Sequence, residues 1–295
     1  MRIWTLGLLR RLGVRQFRAR SGLGCDYICF LEDFIGELPF CNRDLGRAEL
    51  VLMAAWCQEM PGSPVLDVGG NVGFFATQLA QLTENLGIHV FSFEPSPFTF
   101  THLAQGVRRL GLQDRVHPVC CALSDAPGLV HISYDERDTM RAHLVSAGSQ
   151  GGPGQTVAWT NCVTLDEVLR SVPTAPSLIK IDVEGHEVRV LRGGHTTLRS
   201  PTAPALLVEW NPGALAAAGF CTADLADQLG RFKSFYVNDF EGQRIAFGEP
   251  ILLSTCIDWE CNIFAVPDTD GALQRCVHSF AHAERELAAL RAAYR

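Results

Sequence analysis

The amino-acid sequence predicts an α/β protein with a Rossmann-like, mostly parallel sheet and helices on both faces. Short apolar segments alternate with longer segments of helical apolar spacing, which is typical of repeated βαβ units. Residues 64–74 join a β-forming run to a glycine-rich turn and the start of a helix. Residues 177–187 join a second such run to a turn rich in acids. Turns of this kind lie at the carboxyl ends of parallel strands, where open sheets bind ligands.

The composition is that of a folded globular protein. The chain has 295 residues, of which 47% are hydrophobic and 19% are charged, and this length suffices for one large core. No run of about eighteen consecutive apolar residues occurs, so we expect no transmembrane segment. The formal net charge of -7 disfavours nonspecific binding to nucleic acid.

Positive charge is concentrated at the amino terminus. Residues 1–25 contain six arginines and no acid, which leaves a formal charge of -13 on the rest of the chain. Apolar residues are mixed among the arginines, and two interpretations stay open. The segment is either a basic amphipathic helix in weak contact with an acidic membrane surface, or a helix or frayed end lying on its own acidic domain. Because Arg10 and Arg11 interrupt the apolar run, we expect no signal peptide.

Eleven cysteines raise the question of a metal site or disulfides. Their spacings favour neither, because no C-x-x-C pair occurs and several cysteines lie inside apolar runs. We therefore expect buried, reduced thiols, no structural metal and a cytoplasmic location.

Other local patterns predict further elements. In the first half these are a strand over residues 25–34, a loop through Pro39 and Asn42, a helix capped by Asp44, a strand over 89–94, a helix over 97–110, a strand over 116–123 and an extra strand near Ile132. In the second half they are a mobile loop over 146–155, a capping box at Thr164, a helix over 188–198, a strand over 205–210, helix over most of 215–232, two final strands over 235–237 and 261–266 that pair antiparallel, and a terminal helix over 280–295.

The glycine-rich turn carries the first sign of a ligand. Its pattern is Asp67-x-Gly69-x-Asn71-x-Gly73, and glycines there let a ligand approach the backbone. A dinucleotide fingerprint ending at Gly73 would need a glycine at position 68, which is Val68. The turn therefore favours a different nucleoside ligand over a nicotinamide cofactor.

A second acid, Glu94, ends the next predicted strand. A carboxylate at this position can accept hydrogen bonds from both ribose hydroxyls of a nucleoside. This feature serves S-adenosylmethionine (SAM) and NAD alike, so it supports a nucleoside without choosing one. Ser96 and Pro97 follow in the order preferred at the start of a helix.

The acid-rich turn is the third candidate region. Asp182, Glu184, His186 and Glu187 crowd the carboxyl end of a predicted central strand, and folding alone does not require four ionisable groups there. We expect Asp182 to reach the crevice. Glu187 falls in the first helical turn, where acids are favoured by the helix dipole, and we expect it to be solvated.

These motifs together resemble the FkbM-type methyltransferases of the class I fold. The segments that carry the resemblance occur in the family's order within residues 40–267, and they are residues 67–73, 93–95, 122–125, 164–166, 179–185, 191–193 and 208–209. The usual first motif reads Asp-Val-Gly-Ala-Asn, whereas Gly70 replaces the alanine here. The resemblance implies a seven-stranded sheet, SAM as cofactor and methyl transfer to a hydroxyl of a sugar or a polyketide-like metabolite.

The resemblance also implies three parts of the chain and a set of site residues. We expect a basic lead-in over residues 1–43, a methyltransferase domain over 44–267 and a terminal helix over 268–295. The expected cofactor-binding residues are Asp67, Gly69, Gly70, Asn71, Gly73, Phe74, Glu94, Pro95, Ser96, Ala122, Leu123 and Asp182. The expected catalytic residues are Asp182, Glu184 and His186.

The implied mechanism needs an aligned acceptor oxygen and a base near it. Asp182 ranks ahead of His186 as that base, because the helix that follows can turn the imidazole away. A divalent metal on Asp182, Glu184 and Glu209 stays open but is not predicted. Two other classes also stay open, namely a nicotinamide-linked oxidoreductase and a catalytically silent nucleoside-binding or scaffold protein.

Overall fold

The computed structural model describes residues 2–31, 34–42, 45–145, 151–237, 250, 251, 253 and 258–293. The helices in this part are α1 (Arg2–Arg11), α2 (Phe34–Cys41), α3 (Arg47–Glu59), α4 (Phe74–Leu82), α5 (Pro97–Leu110), α6 (Leu165–Ser171), α7 (Glu187–Gly193), α8 (Pro212–Ala217), α9 (Thr222–Leu229) and α10 (Asp270–Ala293). The strands are β1 (Gln16–Arg20), β2 (Asp26–Phe30), β3 (Val65–Val68), β4 (Val90–Phe93), β5 (Val116–Val119), β6 (Ala122–Ser124), β7 (Gly128–Asp135), β8 (Asp138–Val145), β9 (Thr156–Thr164), β10 (Leu178–Ile181), β11 (Ala205–Trp210), β12 (Phe232–Val237) and β13 (Cys261–Pro267).

Seven strands form the central sheet in the order β12-β13-β11-β10-β3-β4-β5. Strands β11, β10, β3, β4 and β5 are parallel, and β13 runs antiparallel to both of its neighbours. Side chains alternate between two buried clusters: along β11, Ala205 and Leu207 join one and Leu206 and Val208 the other. The prediction of a seven-stranded, mostly parallel sheet with helices on both faces is confirmed, as is the antiparallel final pair.

A second, four-stranded sheet has the order β6-β9-β7-β8. It contains the extra strand expected near Ile132, which is now β7. The single strand expected over residues 116–123 is wrong, because the chain leaves the central sheet after Val119. Its continuation, β6, pairs in parallel with the end of β9. Residues 151–155 lie outside helix and strand, and the rest of the loop expected over 146–155 lies outside the described residues.

The amino-terminal segment forms a helix and a hairpin, and β2 of the hairpin packs on α4 and α5. β1 and β2 pair antiparallel, and α1 lies over β2. The loop expected through Pro39 is helix α2 instead. Pro39 cannot donate the backbone hydrogen bond of a helix residue. The helix is held in place by packing instead, since Phe40 of α2 contacts Phe17 edge-on. The capping role expected of Asp44 lies outside the described residues, and Gly46 precedes α3.

Other boundaries shift by a few residues. The helix expected over 188–198 ends at Gly193 and is followed by a 3-10 turn at Thr197–Arg199. The helical stretch expected over 215–232 is two short helices, and its last residue, Phe232, begins β12. The terminal helix begins at Asp270 and packs on α3, where Phe280 and Trp56 both contact Phe264. Within the part of the chain described, no helix combines the length and apolarity needed to cross a bilayer.

Candidate active site

A cavity of about 300 Å³ opens at the carboxyl ends of β3, β4 and β10. The turn after β3 (residues 69–73, the glycine turn) and the turn after β10 (residues 182–186, the acidic turn) form adjoining parts of its wall. Strand β8 and helix α2 close other sides, through residues such as Thr139 and Pro39. The site therefore lies where open parallel sheets bind their ligands, as the sequence predicts.

Glycines let the two turns touch. Gly69 has a φ of 85°, and a Cβ built there would lie 1.7 Å from the backbone oxygen of Asp182. No side chain fits in that gap, so the backbone of the acidic turn lies directly on the glycine turn. A Cβ at Gly70 would instead lie 2.0 Å from the hydroxyl of Ser92. Ser92 therefore fills the space that the methyl group of the family's usual alanine would occupy.

The carboxylate of Glu94 is fixed by the backbone around it. Its Oε2 accepts from the backbone N–H of Asn71 at 3.0 Å, and its Oε1 accepts from that of Ser96 at 2.8 Å. Each oxygen keeps acceptor capacity beyond these bonds. Glu94 is only 5% exposed, and burial raises its pKa to about 7 against the opposing effect of the two N–H groups. The structure thus presents a rigid acceptor group at the cavity wall.

Asn71 holds the glycine turn against the second sheet. It has a φ of 47°, which is uncommon for a residue other than glycine. Its Oδ1 accepts from the backbone N–H of Val72 at 2.7 Å and from the hydroxyl of Thr139 at 3.2 Å. These bonds stabilise the left-handed conformation and connect β8 to the turn.

Ser92, Asp67 and Lys180 form a polar row across three neighbouring strands. Asp67 is in register with Ser92 of β4 on one side and with Lys180 of β10 on the other. Ser92 donates to Asp67 Oδ2 at 2.7 Å, and Lys180 Nζ lies 3.6 Å from Asp67 Oδ1. Lys180 is 4% exposed and donates to Asp182 Oδ2 at 3.0 Å. The row therefore ends in a buried ammonium ion that orients Asp182 at the cavity.

The pKa of Lys180 follows from this arrangement. Burial alone would lower it, but the carboxylates of Asp182 and Asp67, with the hydrogen bond to Asp182, outweigh burial and raise it. Lys180 consequently stays charged across the pH range in which proteins are folded.

Glu184 occupies the tip of the acidic turn in a strained conformation. Its φ is 54°, and its partly buried side chain lines the cavity. Burial, followed by the negative charges of Asp182, Glu187 and Glu260, raises its pKa to about 8. On β11, burial and the same group of acids raise the pKa of Glu209 well above its usual value. The acidic turn and the neighbouring strand β11 thus each hold a carboxyl group that ionises reluctantly.

Glu187 supports the turn from beneath. Its Oε1 accepts from the backbone N–H groups of Val183 at 3.0 Å and of Gly185 at 3.2 Å. The expectation that Glu187 is solvated is wrong, since it is 1% exposed. The bonds to the turn draw the carboxyl group inward, and burial raises its pKa to about 7.

His186 precedes α7 and faces the cavity. Its Nε2 lies 3.0 Å from the hydroxyl of Ser124, which donates to Asp125 at 3.1 Å. With that hydroxyl hydrogen engaged, Nε2 is the protonated nitrogen of the neutral ring. Burial, with the nearby positive charge of Arg189, lowers the pKa of His186 to about 4. The imidazole is therefore neutral at pH 7.

Most of the predicted site residues meet at the cavity. Its wall includes Gly69, Gly70, Asn71, Phe74, Glu94, Pro95, Ala122, Leu123, Asp182, Glu184 and His186. Three predicted residues do not line it. Asp67 is buried in the polar row, Gly73 packs against Leu103, and Ser96 caps α5 by accepting from the N–H of Thr99. In the described chain no group of three or more His, Cys, Asp or Glu is placed to hold a metal ion.

Several wall residues were not among the predicted site residues. Thr139 and His143 come from β8, in the long excursion between β6 and α6 whose length indicates a function, and residues 135–143 are the second place at which the sequence allows the chemistry. Nothing in the local pattern indicated which residues of the excursion turn inward. Glu260 precedes β13 and Asn262 lies in it, and no sequence signal marked either.

A comparison with known protein families shows which family the chain belongs to. The model of the methyltransferase FkbM domain matches residues 67–229, which is more than half of the chain. The chain belongs to the FkbM methyltransferase family. This match confirms the resemblance. The cofactor of the family is SAM, and the cavity is therefore expected to bind it.

Two relatives are similar to this chain over about half of its length. The chain is 32% identical over 161 residues to the hexuronic acid methyltransferase AglP of Haloferax volcanii, covering 54% of this chain and 61% of that protein. It is 31% identical over 185 residues to the 31-O-demethyl-FK506 methyltransferase FkbM of Streptomyces tacrolimicus, covering 54% of this chain and 69% of that protein. A solved FkbM methyltransferase from Methylobacillus flagellatus KT gives a TM-score of 0.45 at 16% identity, over 69% of this chain and 43% of that one.

Proposed function

We propose that this protein is a SAM-dependent O-methyltransferase whose acceptor is a hydroxyl of a sugar or a polyketide-like metabolite. The observation that carries the proposal is the single cavity that joins the glycine turn and Glu94 to the acidic turn. The two relatives, a hexuronic acid methyltransferase and a 31-O-demethyl-FK506 methyltransferase, support the two acceptor types. We place the reaction in a reducing cytoplasm, with which the unpaired thiols of the described cysteines are compatible.

The residues on the nucleoside side fit SAM. Glu94 keeps acceptor capacity for ribose hydroxyls, and Gly69 and Gly70 offer backbone without side chains at the wall. SAM supplies a methyl group already activated on a sulfonium sulfur. The contribution of the protein is then to hold the acceptor oxygen in line and to take its proton.

We assign the base to Glu184, and Asp182 becomes a positioning acceptor. A carboxylate whose pKa is about 8 is a stronger base than one with an ordinary pKa, and Glu184 lines the cavity. Asp182 is engaged by the ammonium group of Lys180, and the low pKa of His186 makes its imidazole a weak base. This assignment revises the ranking that the sequence suggested, in which Asp182 came first.

The charges of the described wall favour a neutral acceptor over a carboxylated one. Asp182, Glu184, Glu209 and Glu260 all line the cavity, and the ammonium group of Lys180 is already engaged by Asp67 and Asp182. A carboxylate would find no compensating cation on this wall, and each of these carboxyl groups that ionises would add repulsion.

Calorimetry and labelled transfer test the function. The purified chain should bind SAM or its demethylated product, with no comparable binding of NAD. Radiolabelled SAM should then label a hydroxylated acceptor from a panel of neutral sugars, uronic acids and polyketide alcohols. Tight NAD binding without SAM binding would indicate an oxidoreductase. SAM binding without transfer to any acceptor would favour a silent nucleoside-binding protein.

Single-turnover methyl transfer at saturating SAM tests the base. Glu184→Gln should reduce the rate by at least about a hundredfold and remove the rise in rate toward pH 8. Asp182→Asn is the matched control, because asparagine can still accept the hydrogen bond from Lys180. The reverse order of losses would make Asp182 the base.

A further inference from the structure

Helix α1 has an inner and an outer apolar stripe. Leu6 is 3% exposed and packs with Leu9 on Tyr27, Cys29 and Leu31. This packing supports the interpretation in which the segment lies on its own domain. Only the inner stripe is covered, however.

The outer stripe consists of Trp4, Leu8 and Leu12. These side chains are 85%, 59% and 69% exposed, respectively. Their spacing of four residues places them on one face of the helix, and the N–H of Leu12 still bonds to the carbonyl of Leu8. Large side chains rarely remain this exposed in a contiguous group unless the surface binds something.

Two arginines of α1 accompany the outer stripe. Arg10 pairs with Glu37, so its charge is partly balanced. Arg11 is exposed, and because it follows Leu8 by three residues and Trp4 by seven, it lies on the same face of the helix as the stripe.

We propose that this face, made of the outer stripe of α1 together with Arg10 and Arg11, docks on the surface of an anionic lipid bilayer. Tryptophan and leucine beside arginine form the combination that enters the boundary between headgroups and acyl chains. The arginines complement anionic headgroups, whereas the rest of the chain is acidic. Nucleic acid would leave the apolar stripe without a role.

Docking on this face would bring the cavity near the lipid surface. Arg10 of α1 contacts Glu37 of α2, and Leu38 and Pro39 of α2 line the cavity. One helix therefore separates the docking face from the site. The proposal does not depend on the identity of the methyl acceptor.

Co-sedimentation of the full chain with vesicles tests the docking face. The chain should bind vesicles of phosphatidylcholine with about a third phosphatidylserine, and much less to pure phosphatidylcholine. Higher salt should weaken the binding. The double variant Trp4→Ser/Leu8→Ser should reduce the partition coefficient at least tenfold. Arg11→Glu should reduce it severalfold.

A matched control removes the same residue types elsewhere. Leu129 and Trp159 are 66% and 62% exposed on the second sheet, so Leu129→Ser/Trp159→Ser should leave vesicle binding unchanged. Equal losses in both double variants would overturn the proposal, as would absence of binding to anionic vesicles at low salt. Self-association in light scattering that only the Trp4/Leu8 variant abolishes would instead assign the face to a second copy of the chain.

Discussion

The glycine turn and the acidic turn have the same local geometry and opposite chemistry. Each follows a parallel strand of the central sheet, and each contains one residue other than glycine with a positive φ, Asn71 at 47° and Glu184 at 54°. The side chain of Asn71 bonds its own turn and Thr139. That of Glu184 lies among other acids, which raise its pKa together with burial. The strained residue therefore fixes the backbone of the glycine turn, whereas in the acidic turn it presents a carboxyl group to the cavity.

The largest expected effect comes from forcing the two turns apart. In Gly69→Ala the new methyl group would strike the backbone oxygen of Asp182, so we expect a loss of about 3 kcal/mol or more in unfolding free energy. Gly62→Ala is the control, because Gly62 has a similar φ of 79° and open space around it. It should lose only about 1–2 kcal/mol. Equal losses in urea denaturation would show that the turns are not in tight contact.

A smaller effect is expected on cofactor affinity. Glu94→Ala should weaken SAM binding by about 1.5–3 kcal/mol, since it removes an acceptor that is expected to be ionised when bound. Affinity in the unsubstituted protein should rise with pH through about 7, because ionisation of Glu94 strengthens its bonds to hydroxyl donors. Calorimetry with SAM's demethylated product and its 2′-deoxy analogue checks the contact. The variant should discriminate less between the two ligands, and unchanged discrimination would place the ribose elsewhere.

The acidic turn should give the stability a distinctive pH dependence. Glu187 keeps its proton up to pH about 7 in the folded chain, whereas the unfolded chain releases it near its ordinary pKa of about 4.3. The folded state therefore binds more protons between these values, and this group's contribution to stability falls as pH rises from about 4 to beyond 7.

The variant Glu187→Gln isolates that contribution. Both backbone bonds go to Oε1, so the amide oxygen can accept them and the side chain resembles protonated glutamate. Between pH 5 and pH 8 the free energy of unfolding should fall in both proteins. The fall should be smaller in the variant by on the order of 1–3 kcal/mol. Parallel pH profiles in thermal denaturation would contradict a buried, protonated Glu187.

The smallest predicted effect is a coupling inside the glycine turn. Gly70→Ala should push the Ser92 hydroxyl away from Asp67, because the new Cβ would lie 2.0 Å from Ser92 Oγ. In a Ser92→Ala background, Gly70→Ala should lower the free energy of unfolding by less. The two substitutions should therefore show a coupling energy of about 0.5–1 kcal/mol in a double-mutant cycle. Additive losses would show that Ser92 does not compensate for the glycine.

The fold was largely predictable because its signals are local. The glycine turn, the capping box of Thr164 and Glu167, and the apolar stripes of the helices each follow from a few adjacent residues. The division of residues 116–123 between two sheets was not predictable. It depends on the pairing of β6 with β9, which begins more than thirty residues later.

The candidate site was predictable in its residues more than in their roles. Position at a strand end brought Glu94 and Asp182 to the cavity as expected, and His186 also lines it although the helix that follows could have turned the imidazole away. The direction of each side chain depends on partners from other strands. Asp67 therefore meets Ser92 and Lys180 instead of lining the cavity, and Glu187 folds back beneath its own turn. The placement of Asp67, Gly73 and Ser96 makes their direct contact with SAM a prediction that the geometry does not favour.

The polar row across β4, β3 and β10 also restricts how the sheet can assemble. Successive residues of a strand face opposite sides, so a slip of β10 by one residue would point Lys180 into the cluster that holds Ile179 and Ile181. An ammonium ion there would have no carboxylate partner, at a cost of several kcal/mol. Apolar strands alone would tolerate such a slip far more easily. The row therefore favours the native register of β10 during folding, because a sheet paired in a shifted register is less stable even before the active site has formed.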